Sequence, residues 1–352
     1  MTVYEEIVDY LHTKMFIVES VPLGTNLIFF GRLYEPLEKN IEDIKAFCKE
    51  RGYTPFFSQE GIHHKVMMGI MPEFTEKPKI WLNVLLFVAT IFTTLLAGSF
   101  NSGGNPLQNF ADILLGVPFS FSLMAILTCH ELGHYFVSKR YGLVTSLPYF
   151  IPVPFHFLGT FGAIIRMKSI VPSRKALLRI GMAGPFSGFM VALIVSIIGI
   201  ALSEIKPAPA AGTYLKLGDS LLFYILARIV HPVIPEGSDL FLHPMAFAGW
   251  IGFLITSMNL MPIGQLDGGH IAYSVLLKNQ KKIYLPLILA LIGFGILWQG
   301  WIIWGLLAFI LARQEPLIQD TLTPLRRQEK IFALIALVIL ILTFIPQPFS
   351  IF

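Results

Sequence analysis

About seven long apolar segments, near 80–99, 118–138, 177–203, 243–261, 283–297, 299–313 and 330–348, decide most of what this chain can fold into. Backbone surrounded by hydrocarbon must satisfy its own hydrogen bonds, so such stretches read as membrane-spanning helices. Composition agrees: 55% of residues are hydrophobic, 14% are charged, and the mean hydropathy is +0.68. The net charge of +4 reflects basic loops, because no dense Lys/Arg cluster with interleaved aromatics offers a surface for nucleic acid. Cys48 and Cys129 exclude a disulfide framework and read as small buried apolar residues.

Basic residues set the topology. Lys139, Arg140, Arg166, Lys168, Arg174, Lys175, Lys278, Lys281, Lys282, Arg313, Arg326, Arg327 and Lys330 share one side only if 283–313 forms a hairpin. Taking that side as cytoplasmic, the expectation is a polytopic α-helical protein of the cell (inner or plasma) membrane. It has six to seven crossings, a cytoplasmic N-terminus and the C-terminus outside. No signal peptide is visible in the acidic, polar residues 1–9.

Residues 1–76 differ in kind from 77–352 and hold 12 of the 22 acidic residues. Alternation at 26–30 and 65–68 predicts strands, and 38–51 predicts an amphipathic helix ended by Gly52. The expectation is a small α+β cytoplasmic domain with a regulatory role, open to a partner or ligand. His63 and His64 are adjacent, face opposite sides of a strand, and read as a solvated edge. Further on, 147–155 is apolar but carries three prolines, and 163–166 reads as a strand. A re-entrant loop or β-hairpin beside the cytoplasmic face is therefore expected. The loop 204–242 lies on the far side, with an amphipathic stretch at 221–230 that suits the interface.

The chemistry sits in the second apolar segment. On a helix, His130 and His134 project from one face one turn apart, as two ligands of one zinc would. Glu131 lies about 100° round, placed to act on a zinc-bound water. Carboxylates are scarce in the apolar segments, where one costs at least about 2.5 kcal/mol at a helix centre. Only Glu131 and Asp267 are read as lying in or against them. A catalytic zinc takes three protein ligands and one water, so Asp267 is the best third ligand, with His270 its rival. Asn259 and Pro262 break the segment before Asp267, and Gly264, Gly268 and Gly269 permit a close backbone approach. Gly184 and Gly188 read as helix packing. His156, His231 and His243 read as interface or loop residues, and Cys129 points away from the histidine face.

Together these motifs resemble the site-2 protease family of intramembrane zinc metalloproteases. The match rests on His130-Glu131-x-x-His134 and on Asn259 and Pro262 leading to Leu266-Asp267-Gly268. Pro152-Val-Pro154, Gly159-Thr-Phe-Gly162 and Ala183-Gly184-Pro185 add to it, and it covers about 80–348. The resemblance implies one zinc per chain on His130, His134 and Asp267, with Glu131 as general base. It also implies that Asn259 holds the substrate or the developing oxyanion. Gly159, Thr160, Phe161, Gly162 and Ala163 are expected to bind a locally unwound transmembrane substrate beside an edge strand. The chain lacks the inserted PDZ domain of many bacterial members. Its N-terminal domain is somewhat like that of the plant and cyanobacterial branch.

The expected partners are a transmembrane protein or peptide and the lipid bilayer, with an oligomer left open. A transporter with a midplane ion site is the alternative from another class, against which no inverted repeat is apparent. A second alternative is an inactive family member acting as a binding module, against which Glu131 is intact. A prenyl-protein-processing protease would use a glutamate from a later helix, and none is read as intramembrane after residue 204.

Overall fold

The structure is a computed structural model and describes residues 3–23, 26–71, 79–207, 215–312 and 316–351. The N-terminal part runs α1 (Val3–His12), β1 (Met15–Leu23), β2 (Asn26–Leu33), α2 (Leu37–Glu50), β3 (Thr54–Glu60) and β4 (His63–Gly69). Its antiparallel sheet has the order β1-β2-β4-β3. Ile7 and Leu11 of α1 and Ile41, Ile44 and Cys48 of α2 bury against Phe29, Phe57, Val66 and Met68 of the sheet. The expected strands and helix are present, and Gly52 takes the left-handed φ of +76° that stops α2. The expected boundary at 76/77 lies in 72–78, outside the described residues.

His63 and His64 correct one expectation. β4 lies between β2 and β3, so His64 is flanked by strands on both sides and His63 sits at the β3–β4 turn, both half-buried and not on a solvated edge. His64 Nδ1 accepts the Leu33 N–H at 3.1 Å, a local bond that needs no metal. The true edge, β3, is covered from far along the chain. Phe57 N–H donates to Gln319 O at 2.6 Å, and Phe57 O accepts from Thr321 N at 3.0 Å. The same segment pairs on its other side with Val171, whose carbonyl accepts from Gln319 N at 2.9 Å. Residues 317–321 therefore strap the N-terminal sheet to the approach of the helical part.

That part begins with α3 (Ile80–Asn101) and α4 (Val117–Arg140), the latter entered through a 3-10 turn, Phe110–Gly116. After β5 (Tyr149–Pro152) and β6 (Thr160–Ile164) comes α5 (Arg174–Ala201). Three helical stretches, Ile80–Asn101, Phe110–Arg140 and Arg174–Ala201, are long and apolar enough to cross a membrane. They are followed by β7 (Glu204–Pro207), β8 (Leu215–Leu217), α6 (Leu221–Val230), β9 (Ser238–Phe241), α7 (Pro244–Leu260) and α8 (Asp267–Leu276). The chain closes with α9 (Lys281–Phe294), α10 (Gly300–Leu311), α11 (Arg327–Thr343) and β10 (Phe349–Ile351). α7 and α11 have 17 residues each, α9 has 14 and α10 has 12. At 1.5 Å per residue, α9 and α10 are each shorter than a bilayer core of about 30 Å. A turn and Gln299 separate them and they pack on each other, so the described residues 283–312 form a hairpin of two short helices and not one kinked helix.

Contacts gather the basic segments at one end, here the basic face. Arg174 Nε donates to Ser274 O at 2.9 Å, tying the start of α5 to the end of α8. Lys168 N donates to Val144 O at 2.9 Å, and Arg326 pairs with Glu38 at 2.8 Å. At the opposite face β7 pairs with β9 and β8 with β10. Arg313 lies outside the described residues.

The proline-rich segment forms the expected hairpin, but it is not confined to the basic face. Asn83 Nδ2, in the first turn of α3, donates to Leu147 O and Pro148 O at 3.0 and 2.9 Å. Asn101 Nδ2, the last residue of α3, donates to Phe157 O at 2.8 Å. The hairpin thus follows α3 for about 27 Å, nearly a full membrane thickness. Non-helical backbone at that depth needs protein on its flank, and α3 supplies it.

Glu329 is a second correction. It is 1% exposed in the first turn of α11, so Glu131 and Asp267 are not the only carboxylates packed among the apolar helices. Arg179 on α5 explains the burial, pairing with Glu329 at 2.9 Å.

Candidate metal centre

α4 carries His130, Glu131 and His134, each 6% exposed although surrounded by apolar neighbours. The helix is uninterrupted from Val117 to Arg140, so the i and i+4 histidines do stack on one face. His134 Nδ1 donates to Ile180 O on α5 at 2.8 Å. That bond fixes the proton on Nδ1 and leaves the Nε2 lone pair free, the arrangement a metal-binding histidine requires.

α5 makes room for the rings. A β-carbon at Gly184 would overlap the His134 imidazole, and one at Gly188 would lie 3.1 Å from His130 Cβ. The two glycines read as helix packing therefore seat the two histidines. Ser187, between them, donates to Cys129 O at 2.7 Å and holds α4 against α5.

The third group arrives from a break in the helices. α7 ends at Leu260, and α8 starts at Asp267 after a short turn. A side chain at Gly268 would collide with Leu260 O, so the glycine lets α8 start against the end of α7. Asp267 Oδ2 then lies 3.3 Å from His130 Nε2 and 3.2 Å from His134 Nε2. The two Nε2 atoms are 3.2 Å apart. Ligands at about 2.0–2.1 Å in a tetrahedron are separated by about 3.3 Å, so the three donor atoms have the spacing of a zinc site. His130, His134 and Asp267 are the one such group among the described residues.

His270, the rival third ligand, stands outside this group. It lies one turn after Asp267 on α8 and faces Gly181 of α5, with Nδ1 buried and unpartnered. Asn259 is partly buried in the last turn of α7, close in sequence to the α7–α8 junction. Gly159 is in the left-handed region at φ +73°, packed on the Thr93 backbone of α3. Thr160 is 2% exposed and its hydroxyl donates to Ile151 O at 2.9 Å, stiffening the hairpin. Phe161 is 67% exposed, Gly162 has φ +92°, and Ala163 pairs with Phe150. β6 runs beside α4, with Thr160 toward the hairpin tip and Ile164 toward its base.

His156, His231 and His243 have structural partners. His156 Nδ1 accepts Leu158 N–H at 3.3 Å, His231 Nε2 donates to Ile200 O at 2.9 Å, and His243 Nδ1 accepts Met245 N–H at 3.3 Å to cap α7. The Ile180 carbonyl was not legible in the sequence, since no side chain announces it. The Gly184 and Gly188 spacing was the available signal for the ring seats.

A helical fold of this kind, with two histidines and an aspartate converging between apolar helices, defines a membrane-associated metalloprotein whose donor set fits a peptidase. Residues 118–298 match Peptidase family M50. The chain belongs to that family, the site-2 proteases expected from its motifs. Over 375 residues it is 29% identical to "Probable zinc metalloprotease EGY2, chloroplastic" of Arabidopsis thaliana, covering 99% of this chain and 66% of the relative. Its counterpart in Oryza sativa subsp. indica is 30% identical over 328 residues, with 88% and 59% covered. "Probable zinc metalloprotease EGY1, chloroplastic" of Arabidopsis thaliana is 32% identical over 250 residues, covering 68% and 44%. The chain spans less than two thirds of the length of each of these relatives. No solved structure matches it.

Proposed function

We propose that the chain is a zinc-dependent intramembrane endopeptidase that cleaves transmembrane segments of membrane-anchored substrates. The observation that carries this reading is the tetrahedral spacing of His130 Nε2, His134 Nε2 and Asp267 Oδ2 beside a buried Glu131.

His130, His134 and Asp267 hold one zinc, and the Ile180 carbonyl keeps His134 in the binding tautomer. Zinc, when bound, supplies Lewis-acid polarisation of a water and of the scissile carbonyl. Glu131 takes a proton from the attacking water and returns it to the leaving amine. Asn259 donates to the developing oxyanion. Residues Gly159, Thr160, Phe161, Gly162 and Ala163 receive the unwound substrate along the open side of β6. Substrate amides satisfied inside a helix must be released before cleavage, and an edge strand offers them new partners.

Residues 77–352 form the protease domain in this reading, and 1–76 form a cytoplasmic regulatory domain. α3, α4, α5, α7, α9, α10 and α11 make about seven crossings of the cell membrane, with α9 and α10 as a hairpin. The basic face is cytoplasmic, and the metal centre lies about 13 Å below it, since Lys139 follows His130 by nine residues.

Glu131→Gln tests the reading. The variant should keep its zinc and lose cleavage of a transmembrane substrate by about 10²–10⁴-fold. Equal cleavage by variant and wild type would overturn it.

A further inference from the structure

At the opposite face, α3, α6 and α7 enclose a cavity of about 700 Å³. Phe119, on its wall, precedes His130 by eleven residues of helix, about 16 Å, so the cavity is separate from the metal centre. Its floor is aromatic: Phe119, Phe223 and Trp250 are at most 3% exposed. Four charged side chains complete the wall, the cations Lys216 and Arg228 and the carboxylates Asp219 and Asp239. Partial burial and the neighbouring Asp239 carboxylate push the Asp219 carboxyl above its ordinary range, against the pull of Lys216. Two carboxylates on one cavity wall favour a cation between them.

The level of the cavity says what meets it. It opens beside Asn101 and Ser102, where α3 ends, and beside Pro244, where α7 starts. α6 forms one wall and turns Phe223 inward. Its outer side shows Leu221, Ile225 and Ile229, all at least 40% exposed. A short helix with an apolar outer face at the ends of membrane helices lies in the headgroup zone. There the surrounding molecules are phospholipids, and their headgroups present a phosphate next to an alcohol or amine.

We propose that this cavity binds one phospholipid with a zwitterionic headgroup of the phosphoethanolamine type. Lys216 and Arg228 hold the phosphate, Asp219 and Asp239 hold the ammonium, and the aromatic floor receives the glycerol and first methylenes. Paired cations alone would suit any anionic lipid; the carboxylates select for the amine. Peptide-bond cleavage plays no part in this binding, so it is tested without a protease assay.

The full chain, stripped of lipid in detergent, is offered equal phosphatidylethanolamine and phosphatidylglycerol, and retained lipid is counted by native mass spectrometry. One phosphatidylethanolamine should be retained, with about fivefold preference, the size of one or two solvent-accessible ion pairs. Asp219→Asn with Asp239→Asn should erase the preference. Lys216→Ala with Arg228→Ala should weaken retention of both lipids. Lys206→Ala, on the same face but paired with Glu204, should change nothing. Equal retention or a phosphatidylglycerol preference in the wild type overturns the proposal, whether or not any variant folds. So does an unchanged preference in the folded double asparagine variant.

Discussion

His134 gives its Nδ1 hydrogen to the carbonyl of Ile180, 2.8 Å away on the neighbouring helix. The aim of one candidate ligand therefore depends on where α5 sits, and α5 sits close only because Gly184 has no side chain. Gly184→Ala should push the imidazole off its seat. Losing such an orienting contact typically costs about 10–100-fold in metal affinity. Titration of bound zinc against a graded chelator should show that loss, and an unchanged affinity would separate the ring seat from metal binding.

Asp267 and His270 can be told apart by stoichiometry. Asp267→Ala removes an oxygen that lies within 3.3 Å of both histidine nitrogens, so zinc should fall well below one per chain. His270→Ala should leave zinc at one per chain, because that ring is outside the donor group. Elemental analysis of the two purified variants gives the answer.

Cys48 is fully buried between α2 and the sheet, and burial pushes its thiol up to about 12. At pH 8 only about one molecule in ten thousand would carry the thiolate, the form that reacts. Iodoacetamide should therefore leave Cys48 unlabelled in the native chain and label it when the N-terminal domain unfolds. Because the folded thiol stays protonated to higher pH than an unfolded one, its stabilising contribution is lost as pH rises above the ordinary thiol range. Peptide mapping after alkylation at pH 8 checks the first point, and the midpoint of urea unfolding against pH checks the second.

Thr321→Pro removes both the N–H and the hydroxyl that bond to Phe57 O, at 3.0 and 2.9 Å. The strap should loosen by about 1–3 kcal/mol. Hydrogen exchange at the Phe57 amide should accelerate, while β2, paired on both sides within the sheet, stays protected. Unchanged exchange at Phe57 would mean the strap does not hold β3.

Local periodicity made much of the fold legible. Apolar length marked α3, α4 and α5, alternation marked β2 and β4, and the i, i+4 spacing placed His130 and His134 together. Asp267 stands out because a carboxylate is costly among apolar residues. Ile7 and Leu11, four apart, are the local signal for α1. Other features had no local signal. Prolines 148, 152 and 154 exclude a helix but say nothing of depth, which is set by Asn83 and Asn101 on another element. Glu329 looked like a loop residue because its partner, Arg179, lies 150 positions away. The interior place of β4 follows from strand order, which pair spacing alone does not give.

The strap also sets an order of events in synthesis. Phe57 and Thr321 are 264 residues apart, so β3 leaves the ribosome with no neighbour on its outer side. At about 5–20 residues per second, that edge stays bare for roughly 13–50 s while the helices between them are delivered to the bilayer. An exposed strand edge is a template for unwanted pairing. A segment made 264 residues later is thus the one that covers β3, and a chain stalled before residue 321 carries its own aggregation hazard.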